Sequence, residues 1–205
     1  MTVPEMSPRR REATEWMISY WYNANDSKLP RVLLIGDSIC NGYQYLVRDE
    51  LAGVAYVSFY ATSKCVSDPS YLSALSFMLG EYDYELIHFN NGLHSLDTDR
   101  ASWELGLKAA LDLISAKGKG AKIVWASSTP LKDPSLTRKA GELNAIAGKI
   151  MAERGIPVND LFALMDPLDR DEFWCDVYHH KEEAKKMQAR KIADLICKAL
   201  LSRQA

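Results

Sequence analysis

A serine hydroxyl becomes a useful nucleophile only when a base takes its proton and a third group holds that base in the right tautomer. The chain offers Ser38, in Gly36-Asp37-Ser38-Ile39, directly after the apolar run Arg31-Val-Leu-Leu-Ile35 and just before a helical pattern. At such a strand-to-helix turn the hydroxyl points into a cleft, and the N–H groups of the starting helix face any developing negative charge. Taken alone, the triplet reads first as a helix cap made by Asp37 or Ser38. A base and its orienting group are available near the other end, in Asp176-Val177-Tyr178-His179-His180. An aspartate and a histidine three positions apart can meet across one turn, so Asp176 can hold the ring of His179 while its other nitrogen reaches Ser38. Asp176, His179 and His180 could instead ligate a metal or simply face solvent. The chain has only four histidines and no HExxH or Cys/His spacing, so no metal is expected.

A second group of polar residues follows another apolar run, in Ile87-His88-Phe89-Asn90-Asn91-Gly92-Leu93-His94. Two asparagines and a glycine there make an ordinary turn. Beside the first strand in a parallel sheet, however, the loop would overlook Ser38, and an asparagine amide could donate to an oxyanion. The third loop of interest is Ala61-Thr62-Ser63-Lys64-Cys65-Val66, where any backbone N–H from Lys64 to Val66 could be a further donor. Lys64 there could meet an acidic substrate or simply be solvated. Cys40, Cys65, Cys175 and Cys197 form no CxxC pair and read as free thiols, although Cys40, Cys65 and Cys175 all border the candidate site loops. Trp103 and Trp174 could line a sugar cleft, but packing is the stronger reading.

These loops must be positioned by a scaffold, and the apolar pattern supplies one. Strands are expected at Arg31–Ile35, Ala55–Ala61, Glu85–Phe89 and Ala121–Ala126, with a short fifth near Ile156–Val158. Helical faces lie between them: Tyr43, Leu46, Val47 and Leu51; Leu72, Leu75 and Leu79; Leu107, Ala110, Leu111 and Ile114; and Leu143, Ile146, Ala147, Ile150 and Met151. A last helix is expected from about Lys181 to Ser202. Strict strand–helix alternation requires right-handed crossovers and so a three-layer α/β/α sandwich around a mainly parallel five-stranded sheet. Ala13, Trp16, Met17, Tyr20 and Trp21 also fit helical spacing, which predicts an N-terminal helix over about 8–23 packed on this domain, with an aromatic face that could serve as a contact surface.

The Gly36-Asp37-Ser38 turn, the asparagine loop and the Asp176-x-x-His179 ending before a final helix together resemble the SGNH, or GDSL-type, hydrolase family. The motifs span most of the chain in the family's order. The resemblance implies a flavodoxin-like fold and an ester-hydrolysing triad of nucleophile Ser38, general base His179 and orienting Asp176, with the Ser38 N–H in the oxyanion hole. The third block departs from the usual GxND and looks like an FNxGLH variant, which favours Asn90 over Asn91 as the amide donor. The family's usual glycine after the second strand is missing, leaving Cys65 as the backbone donor in that loop. Asn91, Lys64 and His94 are then expected to meet substrate.

Composition is compatible with this. The 205 residues are 47% apolar and carry a formal net charge of −2, so one domain over 1–205 can bury a full core, and no general attraction to nucleic acid or anionic membranes is built in. No apolar run approaches the ~20 residues needed to span a bilayer. The first ten residues do not read as a secretory leader, so the sequence as given reads as cytoplasmic, although a chain whose leader had been trimmed would read the same. No P-loop pattern is present and no cofactor is expected. The reading is a serine ester hydrolase acting through an acyl-enzyme on a small ester such as an acetylated carbohydrate. The alternatives are an O-acyltransferase with the same triad, a non-catalytic binding module, and a flavodoxin-like flavin or nucleotide binder.

Overall fold

A computed structural model describes residues 11–201. Six strands, β1 (Met17–Trp21), β2 (Arg31–Gly36), β3 (Tyr56–Thr62), β4 (Leu86–Phe89), β5 (Lys122–Ala126) and β6 (Val158–Asn159), form one sheet in the order β1-β3-β2-β4-β5-β6. Every pairing is parallel except β1 with β3. The helices are α1 (Ser38–Glu50), α2 (Tyr71–Glu81), α3 (Arg100–Lys117), α4 (Pro134–Glu153), the short α5 (Leu161–Met165) and α6 (Arg170–Phe173), and α7 (Glu182–Leu201). α1 packs on α7, while α3 packs on both α2 and α4, so the helices fall into two sets flanking the sheet. Val32, Leu33, Leu34 and Ile35 are all inaccessible to solvent, as expected for a central strand covered on both faces. Among the described residues no helix is long and apolar enough to cross a membrane.

The expected α/β/α sandwich is therefore present, but the N-terminal element is different. Residues 8–10 of the expected helix lie outside the described residues, and Met17–Trp21 is an antiparallel edge strand that adds a sixth strand to the expected five. The apolar spacing of this segment suits either structure, and pairing decided between them. β3 would otherwise expose a row of backbone groups at the sheet edge, and β1 satisfies them. Tyr20 lies opposite Phe59 with the rings stacked at 6.0 Å, a cross-strand contact that a helix would forfeit.

The strand order has a direct consequence for function. From β2 the chain moves outward to β3, then returns to the other side of β2 as β4. The order therefore reverses between β2 and β4, which opens a crevice at their carboxyl ends. Those ends lead into Asp37-Ser38 and Asn90–His94. Gly36 lets the turn close, because a Cβ there would lie 2.6 Å from Cys40 Cβ on α1. Asp37 then caps α1 by accepting from the Ile39 N–H at 2.9 Å.

One core feature makes the fold sensitive to acid. His88, on β4, is wholly buried, and only its Nε2 has a partner among the described residues, the Asn159 side-chain amide at 3.2 Å. Burial pushes its pKa down to about 4. His180 is also buried, which with nearby His179, Arg170 and Lys185 lowers its pKa to about 3. The unfolded chain binds these protons below about pH 6.5, where the folded chain still resists them. Stability is thus intact above that pH and is lost as pH falls toward 4, by at most about 1.4 kcal/mol per pH unit for each ring. Urea midpoints measured from pH 7 to 4 should fall, and His88→Gln should flatten that dependence. An unchanged slope in the variant would remove His88 from the account.

Candidate active site

The structure brings Ser38, His179 and Asp176 together. The Ser38 hydroxyl lies 2.9 Å from His179 Nε2, and His179 Nδ1 lies 2.8 Å from Asp176 Oδ2. Because a carboxylate can only accept, Nδ1 carries the proton of the neutral ring and Nε2 is left to accept from the serine. The other carboxylate oxygen, Oδ1, accepts from the N–H groups of Tyr178 and His179, both at 2.7 Å. Partial burial would raise the Asp176 pKa. The hydrogen bonds from the His179 backbone and ring and from the Tyr178 backbone outweigh it and bring the pKa to about 2. The carboxylate is therefore ionised throughout the neutral and mildly acidic range.

This pair is held on a short, pinned loop. Trp174 and His180 form an antiparallel bridge, the Cys175 N–H donates to the His179 carbonyl at 2.9 Å, and the Lys181 N–H donates to the Phe173 carbonyl at 2.8 Å. The two adjacent histidines point to different surroundings. His179 is 43% exposed at its side chain, whereas His180 is buried edge-on against Trp174 and meets the Gln188 amide at 3.1 Å. Asp176 is also open, at 53%.

The other expected site residues are placed differently. Asn90 is 7% exposed, and its amide nitrogen donates to the Ala126 carbonyl at 2.7 Å and to Ser128 Oγ at 3.1 Å. Both of its N–H bonds are thus spent tying β4 to the end of β5. Asn91 is equally committed, donating to the Lys64 carbonyl at 2.8 Å and accepting from the Val66 N–H at 3.0 Å. In the Lys64–Val66 loop, the Lys64 N–H goes to Thr62 Oγ1 and the buried Cys65 N–H to Asp68 Oδ2. The expected oxyanion donors Asn90 and Cys65 are therefore not free. They hold the loops that frame the site. Trp103 and Trp174 are core residues, and Cys40 and Cys65 are buried, with burial pushing the Cys40 thiol upward.

Ser38 and His179 open onto a cavity of about 550 Å³ whose wall also includes Glu12, Trp16, Leu93, His94 and Tyr178. Of the residues expected to meet substrate, His94 lines it and Lys64 and Asn91 do not. Glu12 and Trp16 carry no sequence signal as site residues, because the apolar spacing of their segment predicts a helix packed on the domain.

No protein-family model matches the chain, and no curated protein matches it in sequence. Solved structures do match in fold. A GDSL-like lipase from Bacteroides thetaiotaomicron superimposes with a TM-score of 0.67 at 16% identity, over 82% of this chain and 88% of that one. The chain shares the fold of this lipase. A member of the lipolytic G-D-S-L family from Veillonella parvula gives 0.67 at 18% identity over 82% and 97% of the two chains. An acetylxylan esterase from Geobacillus stearothermophilus gives 0.68 at 15% over 82% and 94%.

Asn90→Ala should act first on stability. It leaves the Ala126 carbonyl and Ser128 hydroxyl without their buried donor, at a cost of roughly 1–3 kcal/mol. Urea denaturation reads this directly, and an unshifted midpoint would show that the bonds carry no net weight.

Proposed function

We propose that the protein is a serine ester hydrolase in which Ser38 is the nucleophile, His179 the general base and Asp176 its orienting carboxylate. The continuous hydrogen-bonded line from Ser38 Oγ through the His179 ring to Asp176 carries this reading. His179 accepts the serine proton as Oγ attacks the acyl carbon, and then donates that proton to the departing alcohol. Water, activated by the same nitrogen, releases the acid and restores Ser38. The Ser38 N–H, in the first turn of α1 where no helical acceptor is available, faces the developing oxyanion. A small ester such as an acetylated carbohydrate suits the size of the cavity, and two of the structural neighbours are acetyl xylan esterases. The same triad would serve acyl transfer to another alcohol. The openness of Asp176 and His179 admits water and favours hydrolysis.

Ser38→Ala should abolish turnover of p-nitrophenyl acetate and labelling by a serine-directed organophosphonate while leaving the melting temperature close to wild type. Retained turnover would end the proposal. Asp176→Asn should lower kcat by about 10²–10⁴-fold through loss of the tautomer control on His179. Since Asp176 stays ionised down to about pH 2, its protonation should add no step to the acid side of the profile, and kcat/KM for p-nitrophenyl acetate, which offers His94 no hydroxyl, should fall by no more than about tenfold per pH unit. A steeper fall with that substrate, measured where the protein remains folded, would contradict the assignment.

A further inference from the structure

The cavity wall holds a second imidazole–carboxylate pair. His94 Nδ1 contacts a Glu12 carboxylate oxygen, and the two residues are 82 positions apart. The lead-in to β1 that carries Glu12 is fastened to the end of β3. The Trp16 N–H donates to Ser63 Oγ at 2.9 Å, Thr62 Oγ1 donates to the Trp16 carbonyl at 2.9 Å, and the Ser63 hydroxyl donates to Glu15 Oε2 at 2.9 Å. Trp16 also meets the His94 ring edge-on at 5.9 Å, which fixes the plane of the imidazole.

The chemistry of this pair narrows what it can bind. Glu12 can only accept, so in the neutral ring Nδ1 carries the proton and Nε2 presents a lone pair. Nε2 is shielded from bulk water and has no partner among the described residues. Of the residues lining the cavity, His94 alone has such a buried side-chain atom. A lone pair is satisfied only by a donor, and neither an acetyl group nor the ester linkage contains one. A donor supplied by a bound ester would therefore lie elsewhere on the substrate, and a hydroxyl on the alcohol part is the simplest. Trp16 and Tyr178 add aromatic surface on which the C–H face of a sugar ring can pack.

We propose that His94, oriented by Glu12, accepts a hydrogen bond from a free hydroxyl on the alcohol part of the ester, which makes polyhydroxylated alcohols such as sugars the preferred substrate class. The proposal rests on the serine hydrolase reading and adds a specificity residue, His94, and a positioning residue, Glu12.

The test compares a monoacetylated methyl xyloside, which keeps free hydroxyls, with p-nitrophenyl acetate, which has none. His94→Ala, and His94→Phe, which keeps an aromatic ring against Trp16, should lower the ratio of kcat/KM for the xyloside to that for p-nitrophenyl acetate by about tenfold, mainly through KM. Glu12→Ala should shift the ratio the same way, and Glu12→Gln, whose carbonyl still accepts from Nδ1, should restore part of it. An unchanged ratio in the His94 variants, whatever happens to the two rates separately, overturns the proposal. A second arm needs no turnover. Calorimetric binding of the xyloside monoacetate to Ser38→Ala protein should weaken about tenfold when His94→Phe is added, and equal affinity or no binding at all also overturns it. Failure of the hydrolase reading is distinct: it appears as absent wild-type turnover, or as full turnover by Ser38→Ala.

Discussion

The site depends on one carboxylate that holds both a backbone turn and a ring. Asp176 Oδ1 accepts from the N–H groups of Tyr178 and His179, and Oδ2 accepts from the His179 ring. The turn that carries the imidazole and the tautomer of that imidazole are thus fixed by the same group. The hydrogen bonds act on the charged form of Asp176, which explains how a half-exposed aspartate remains a firm acceptor without being buried. Around it, the Trp174–His180 bridge and the Lys132 N–H bonded to the Val177 carbonyl close the loop on both sides. The packing of α7 on α1 then carries this loop to the rim where Ser38 begins its helix.

Polar groups near the site divide by what surrounds them. Asn90, Asn91, Ser128 and the Lys64–Val66 backbone are bonded to one another, to nearby backbone or to the side chains of Thr62 and Asp68, so they stiffen the crevice and offer little to a ligand. His88 and His180 are buried, and burial, joined at His180 by the positive charges near it, keeps them neutral. Among the described residues, only the two histidines on the cavity wall, His94 and His179, pair Nδ1 with a carboxylate. A buried histidine and a site histidine are thus separated by their partners, since the residue type is the same.

Gly92 shows how closely the crevice is built. A Cβ at that position would lie 1.9 Å from Ser128 Oγ, so the loop after β4 can approach the end of β5 only with no side chain there. This close approach is what lets Asn90 reach the Ala126 carbonyl, and it explains why the loop's amide is used for framing.

The sequence by itself determined the central parallel sheet, because fully apolar runs such as Val32–Ile35 have no stable place except between two helical layers. It also determined the candidate triad, because the Ser38 turn and the Asp176-x-x-His179 spacing are local geometries that survive in any arrangement bringing their loops together. The tertiary structure alone decided the rest. Met17–Trp21 has a spacing compatible with helix, and it became a strand because β3 offered it an unpaired edge. Asn90 and Cys65 have the chemistry of oxyanion donors, but their N–H groups were claimed by Ala126, Ser128 and Asp68, partners that no local pattern reveals. Glu12 reached His94 only because β1 turned the N-terminal segment toward the cavity. Hydrogen-bond donors are used once, and which acceptor claims them depends on distances that exist only after the chain has folded.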